Sequence, residues 1–185
     1  MNLKRIFDLL FSIVGLLFFG WMILLVLLIA SMDTRSFGIF TQTRIGQNGK
    51  KFKIFKIKSM LDGNKSISKC GYFLRKKKLD ELPQLFNIIL GHMSFVGPRP
   101  DVAGYYNSLQ GEERLILKLK PGLTSEASLK YFDEEFLLQQ QENPKEYNDT
   151  VIFPDKVKLN LDYYYNNSLL GDIKIIYKTL LRYIQ

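Results

Sequence analysis

One cysteine, Cys70, and one histidine, His92, are all that the 185 residues contain of each. The lone thiol excludes an intramolecular disulfide framework and a cysteine-rich zinc module. The lone imidazole excludes a metal motif built on two histidines and leaves a His-based triad improbable. No segment repeats another, none is of low complexity, and no RNA- or DNA-binding signature appears. The most consequential absence is local. From Leu9 to Met32, 24 consecutive residues carry no ionisable side chain, and no proline interrupts them.

As a helix this run is about 36 Å long at ~1.5 Å per residue, enough to cross a hydrocarbon core of ~30 Å. A cleaved signal peptide fits poorly. The run is too long for its apolar region, Asp8 breaks its start, and Ile29 to Asp33 makes a poor small-x-small cleavage site. A buried helix of a soluble protein is the other ordinary reading, and a membrane-embedded helix is the expectation. Lys4 and Arg5 precede the run, whereas Arg35, Arg44, Lys50 and Lys51 follow it. Both flanks would prefer the cytoplasmic side. A helix that enters and returns through one leaflet, bending near Gly15 or Gly20, would satisfy both, but these residues alone do not decide between spanning and re-entrant.

The rest of the chain is cationic. Lys and Arg number 26 against 18 Asp and Glu, a formal charge of +8. Lys50 to Lys58 alternates basic and apolar residues, which predicts a strand with one basic and one apolar face. Gly46 to Gly49 is a turn signal inside the strand-and-turn region 36–59. Residues 61–71 read as a polar loop. The cluster Arg75 to Lys78 is of the kind that attracts anionic lipid headgroups beside a membrane helix. Nucleic acid, the natural rival for a basic and aromatic chain, is not expected as a partner.

Helices are predicted from Asp80 through Ile89 to Gly91, over Val102 to Lys118, over Phe132 to Gln141 and over Asp155 to Tyr165. The last helix is amphipathic. Ile173, Ile176, Tyr177, Leu180, Leu181 and Ile184 share helical spacing, while Lys174, Lys178 and Arg182 recur on another face. It packs on a core or lies in a membrane interface. Gly97-Pro98-Arg99-Pro100 forbids helix and demands a rigid turn.

Three features converge on one chemistry. Asp80-Glu81 follows Arg75 and three lysines, the Pro98-Arg99-Pro100 turn holds a guanidinium, and the apolar helix brings both to a bilayer. Singly, Asp80 reads as a helix cap and Arg99 as a surface salt-bridge residue. Together they suggest a phosphate site. Guanidinium forks recognise phosphate, adjacent carboxylates hold Mg²⁺ against a diphosphate, and a carboxylate can attack phosphorus to form an acyl phosphate. The nearby lysines and the helix start are expected to keep Asp80 ionised at neutral pH.

Six stretches then carry a resemblance: Lys4-Arg5-Ile-Phe-Asp8, Phe40-Thr41-Gln42-x-Arg44-x-Gly46, Phe52 to Met60, Leu79-Asp80-Glu81-Leu-x-Gln84-Leu-x-Asn87, Met93 to Pro100, and Pro121-Gly122-Leu-Thr124. In this order, over almost the whole chain, they resemble the bacterial sugar transferases, the monotopic phosphoglycosyl transferases. The resemblance implies an α-dominated α+β protein. Residues 1–35 would form a membrane-embedded, re-entrant helix. Residues 36–185 would form a small cytoplasmic catalytic domain with a few short strands and amphipathic interfacial helices. It implies transfer of a phosphosugar from a UDP-sugar to polyprenol (undecaprenyl) phosphate at the cytoplasmic face of the bacterial inner membrane, releasing UMP, in the first membrane step of glycoconjugate assembly. It makes Asp80 the nucleophile, Glu81 its partner, both of them Mg²⁺ ligands, and Arg75, Arg99, Pro98, Pro100 and Lys58 the phosphate- or substrate-binding residues. Anionic membrane lipid is an expected partner, and the oligomeric state, homodimer included, is left open.

The chain departs from the family pattern in three places. Gly20-Trp21 stands where members commonly carry Ser-Pro, and His92 where they carry Asp. Ser125 to Glu135 replaces a common Gly-Trp-Ala-Gln-Val, a stretch expected to line the nucleotide-sugar pocket. The chain closes soon after one catalytic domain, so the extra membrane helices of larger members are not expected in it. Two rival readings are a catalytically inactive membrane-surface scaffold and a glycosyltransferase that releases UDP.

Overall fold

The protein is described here from a computed structural model covering residues 2–63 and 66–184. Part of the loop expected over 61–71 lies outside the described residues, at 64 and 65. The chain forms two compact units, residues 1–44 with 51–93, and residues 45–50 with 94–185. The expected helix-rich α+β class holds, with one long apolar N-terminal helix and two small two-stranded sheets.

In the first unit, α1 runs unbroken from Leu3 to Thr34, through Gly20. Its polarity is inverted relative to a helix on a soluble protein. The polar residues Asp8, Ser12 and Thr34 are buried, while Leu10, Leu17, Phe18, Trp21, Leu24 and Leu28 are exposed. Only 17% of its most apolar stretch is buried, and by length and composition it could cross a membrane. The buried stripe packs along the rest of the unit at both ends. Near the start, the Arg5 guanidinium donates to the carbonyls of Ile88 and Ile89 at 2.6 and 2.8 Å. Further along, Ile23, Val26 and Ala30 form a core with Ile57 and Leu74.

Strands β1 (Ile39–Ile45) and β2 (Lys51–Ile57) pair in the first small sheet, joined by a short 3₁₀ turn at Gln47–Gly49. The alternation in β2 slips between Ile54 and Phe55, which are adjacent and both apolar. Lys51 and Lys53 are therefore exposed, whereas Lys56 shares the face of buried Ile54. The expected single basic face is split in two. Helix α2 (Lys69–Lys76) starts at Ser68, whose hydroxyl accepts from the Gly71 amide at 2.8 Å. A 3₁₀ turn at Leu79–Glu81 and α3 (Gln84–Ile89), entered through Pro83, together fill the helical stretch expected over 80–91.

In the second unit, β3 (Ser94–Val96) and β4 (Gly122–Thr124) pair in parallel, Ser94 opposite Gly122 and Val96 opposite Thr124. Helices α4 (Glu126–Lys130), α5 (Glu134–Gln139) and α6 (Pro144–Tyr147) follow, and a π turn at Asn148–Ile152 leads into α7 (Phe153–Asn166). The last helix, α8, spans Leu169–Ile184. The helix expected over Val102 to Lys118 is absent as an α-helix. That stretch holds two 3₁₀ segments, Tyr106–Ser108 and Gly111–Lys118, because Gly104 and Gly111 adopt φ of 112° and 56° and so break the helical path. Val157 packs with Tyr106, Leu109, Ile116 and Leu117 in one core cluster. In another, Tyr163 and Ile175 pack with Val96, and the Tyr163 hydroxyl donates to Asp172 at 2.5 Å.

Candidate active site

The acidic pair lies on a turn shaped from both sides. Lys78 takes a left-handed conformation, φ 52°, which is uncommon for a residue with a Cβ and turns the chain sharply out of α2. The 3₁₀ turn that follows is closed by amides of Glu81 and Leu82 donating to the carbonyls of Lys78 and Leu79. Leu79 and Leu82, three residues apart, pack against the α1 core cluster. Burying those two leucines fixes the turn and carries Asp80 inward with them.

Asp80 is 6% exposed, and its Oδ1 has no hydrogen-bond partner among the described residues. Burial, and then the neighbouring Glu81 carboxylate, push its pKa up. Lys56, Lys78 and Arg75 oppose that shift. The shift is therefore opposite in direction to the one the neighbouring cations alone would give. The cations are present, but desolvation outweighs them because the turn is folded inward rather than presented at an open helix start. Glu81 accepts a 2.9 Å ion pair from Lys56, with both side chains largely shielded.

A further residue ties the two halves of this cluster together. Asn87 is fully buried. Its Oδ1 accepts from the Phe55 amide at 3.0 Å, and its Nδ2 donates to the Lys53 carbonyl at 2.7 Å. A side-chain amide thus pairs with the edge of β2 as a neighbouring strand would. It sets the strand that carries Lys56 against the helix that follows Asp80 and Glu81.

Of the residues expected at the site, the first unit brings together Asp80, Glu81 and Arg75. Lys58 is engaged elsewhere, donating to Asp62 at 2.5 Å and to Ser36 at 2.7 Å. Lys56 is the lysine at the acidic pair, and Lys78 acts on Asp80 as well. The slip in the β2 alternation separates Lys56 from Lys51 and Lys53 but not from Lys58, two residues further on the same face. Asn87 gave no sequence signal beyond its place in the motif.

Pro98, Arg99 and Pro100 belong to the second unit. Pro98 is buried and Arg99 exposed. Their turn is fastened by the Gly122 amide donating to the Pro98 carbonyl at 2.9 Å and the Gly97 amide donating to the Thr124 carbonyl at 3.0 Å. In the Ser125 to Glu135 segment, Ser125 caps α4. Several of its charges are spent on ion pairs, Glu126 with Lys178, Lys130 with Asp155 and Glu134 with Lys156. His92 is an exposed residue just past α3.

The donors fit a divalent cation only in one manner. No group of three His, Cys, Asp or Glu side chains suited to a metal exists among the described residues, so the protein does not build a full cage. One or two carboxylates completed by substrate phosphates is the usual Mg²⁺ arrangement. The unpartnered Asp80 Oδ1 beside Glu81 offers that set.

Comparison with known proteins gives the family. The profile of the bacterial sugar transferases matches residues 1–185. The chain belongs to that family. Among curated members of the family, a putative undecaprenyl-phosphate N-acetylgalactosaminyl 1-phosphate transferase of Bacillus subtilis (strain 168) is 36% identical over 122 residues, 60% of this chain and 68% of that one. The exopolysaccharide production protein PSS of Rhizobium leguminosarum bv. phaseoli is 31% identical over 199 residues, covering 96% and 93%. The UDP-glucose:undecaprenyl-phosphate glucose-1-phosphate transferase of Escherichia coli (strain K12) is 32% identical over 196 residues, 97% of this chain but 40% of that protein. This sugar transferase thus spans less than half the length of some relatives and nearly all of others.

Proposed function

We propose that this chain transfers a phosphosugar from a UDP-sugar to undecaprenyl phosphate, giving undecaprenyl-diphosphate-sugar and UMP, for capsule or exopolysaccharide assembly. The observation that carries the reading is the buried Asp80 carboxyl, whose Oδ1 has no hydrogen-bond partner among the described residues, under the charge of Lys56, Lys78 and Arg75 in a sugar transferase chain. The names of the relatives support the substrate classes, and they differ in the sugar.

In the proposed chemistry, an Asp80 oxygen attacks the sugar-bearing phosphorus of the UDP-sugar. The P–O bond to the UMP portion breaks and UMP leaves with the electron pair, which produces an acyl phosphate on Asp80. A phosphate oxygen of the lipid acceptor then attacks the same phosphorus and the aspartyl oxygen departs, restoring the carboxylate. No net proton transfer is needed in either step. Arg75, Lys56 and Lys78 supply fixed positive charge where phosphate charge builds, in a partly desolvated setting where such charge counts for more than in water. Lys56 also holds Glu81 in place. Asp80 and Glu81 would hold Mg²⁺, which when bound neutralises diphosphate charge. Arg99 enters as a phosphate contact on its motif alone.

The same reading includes topology. Both ends of α1 pack on one unit, Arg5 on the carbonyls of Ile88 and Ile89 and the Ile23–Ala30 region on Ile57 and Leu74. A helix held near both ends by the domain beside it is not free to carry one end across a bilayer. Residues 1–35 are therefore proposed to lie in one leaflet, apolar face to lipid, with both basic flanks cytoplasmic. The test of the activity is a panel of UDP-sugars with undecaprenyl phosphate in nanodiscs. UMP release supports phosphosugar transfer. UDP release would make the protein a glycosyltransferase, and release of neither would make it a scaffold.

A further inference from the structure

The basic run that precedes the acidic pair does two separate jobs. Arg75 and Lys78 act on the Asp80 carboxylate, and both are only half-exposed. Lys76 and Lys77 face outward. On α2, Lys69, Tyr72, Phe73 and Lys76 recur at i, i+3, i+4 and i+7, with Lys77 next, and all five are exposed. Two aromatic rings thus stand in solvent, Tyr72 at 64% and Phe73 at 55% exposure, among three lysines. No carboxylate is within ion-pair distance of those lysines among the described residues.

The helix cannot rotate to hide these rings. On its inner side Gly71 presses its backbone against the Ser59 carbonyl so closely that an added Cβ would be 2.1 Å from that oxygen. Leu74 is buried in the α1 cluster, and Cys70 packs against it. Ser68, at the start of α2, donates to Asp33 near the end of α1. The helix is therefore locked with its aromatic and basic stripe outward, while it leans on α1, which exposes many large apolar side chains.

We propose that the stripe Lys69, Tyr72, Phe73, Lys76 and Lys77 is a binding surface for anionic phospholipid headgroups, which seats the turn bearing Asp80 at the bilayer surface. This rests on the membrane placement of α1 proposed above. Amphipathic aromatic rings favour the interfacial zone, and surface lysines are drawn to an anionic leaflet. Charge complementarity selects this occupant. An apolar protein partner would leave three lysines unmatched, and a neutral bilayer would satisfy the rings only. Each lysine should favour the anionic surface by roughly five-fold, and salt should weaken the attraction.

The test uses the full chain in nanodiscs of phosphatidylcholine alone or with a quarter phosphatidylglycerol. A fluorophore is attached to a Phe73→Cys variant in a Cys70→Ser background, with Lys51→Cys as the exposed control. Shielding of the probe at position 73 from aqueous iodide in the anionic discs is expected. That shielding should be lost in neutral discs, at high salt, and in a Lys69→Gln/Lys76→Gln/Lys77→Gln variant, while the control stays accessible throughout. Equal access at position 73 in both discs and in detergent would overturn the proposal and assign the stripe to a protein partner. Equal shielding in neutral and anionic discs would overturn the claim on headgroup charge. UMP release in the same discs separates the two readings. Release with an unshielded probe removes this inference alone, whereas a charge-dependent shielded probe without UMP removes the enzymatic reading alone.

Discussion

Replacing Asp80 by asparagine should stabilise the protein while removing its activity. The Oδ1 of Asp80 is buried without a hydrogen-bond partner, and leaving such an acceptor unsatisfied costs about 1–3 kcal/mol. Lys56, Lys78 and Arg75 return part of this, but the pKa is raised nonetheless, so the surroundings on balance disfavour the charge. Removing the charge at constant shape should therefore gain roughly 1–2 kcal/mol, a rise of about 2–8 °C in Tm for a chain of this size. The pH dependence has a definite sign. A carboxyl with a raised folded-state pKa binds its proton in the native state before it does in the unfolded chain. Stability associated with Asp80 is thus present at low pH and lost as pH rises through the folded value. The advantage of Asp80→Asn should be full near neutral pH and shrink as the pH falls through that range. Thermal unfolding of both proteins in nanodiscs with a chelator, between pH 5 and 8, measures it. An Asp80→Asn variant less stable than the parent at neutral pH would refute the reasoning, since the cations would then outweigh burial.

Three further outcomes are expected. Lys56→Met removes the ion pair to Glu81 and a cation that opposes the rise at Asp80. UMP release should fall by about 30-fold, on ~2 kcal/mol for a charge-assisted bond, and the acid limb of its pH profile should move to higher pH; an unmoved limb would contradict the assigned role. Asn87→Leu leaves the Phe55 amide and the Lys53 carbonyl without the bonds that Asn87 supplies, so a loss of roughly 2–4 kcal/mol should appear as a lower Tm, and Asn87→Asp, which keeps the acceptor, should fall between. In a Cys70→Ser background, Asn2→Cys and Ser36→Cys should both be protected from an impermeant thiol reagent in intact cells and both react once the cytoplasmic face is opened; external labelling of one alone would make α1 a spanning helix.

The parts of this fold that were legible in sequence are those set by local chemistry. An uninterrupted apolar run gave α1, and Gly46 to Gly49 placed the turn between β1 and β2. The helix expected over 102–118 failed because Gly104 and Gly111 take positive φ, a backbone choice that apolar spacing does not report. The nearness of Asp80, Glu81 and Arg75 to one another was expected from charge and order along the chain. The burial of Asp80 was not, because it depends on Leu79 and Leu82 packing against a cluster drawn from α1, β2 and α2, contacts that local sequence does not report. Lys58 was expected at the site and Lys56 was not, because the two lie two residues apart on one face and alternation cannot separate them; only the partner across the gap, Glu81, sets Lys56 apart.

The central claim is that Asp80 carries the phosphosugar. Intact-protein mass spectrometry after mixing the chain with a UDP-sugar and Mg²⁺, without undecaprenyl phosphate, tests it most directly. The account predicts a mass gain of one phosphosugar, accompanied by UMP, mapped to Asp80, absent in Asp80→Asn, and discharged when the lipid acceptor is added. An unmodified protein that releases UMP only once both substrates are present, or an Asp80→Asn variant that turns over, would contradict it.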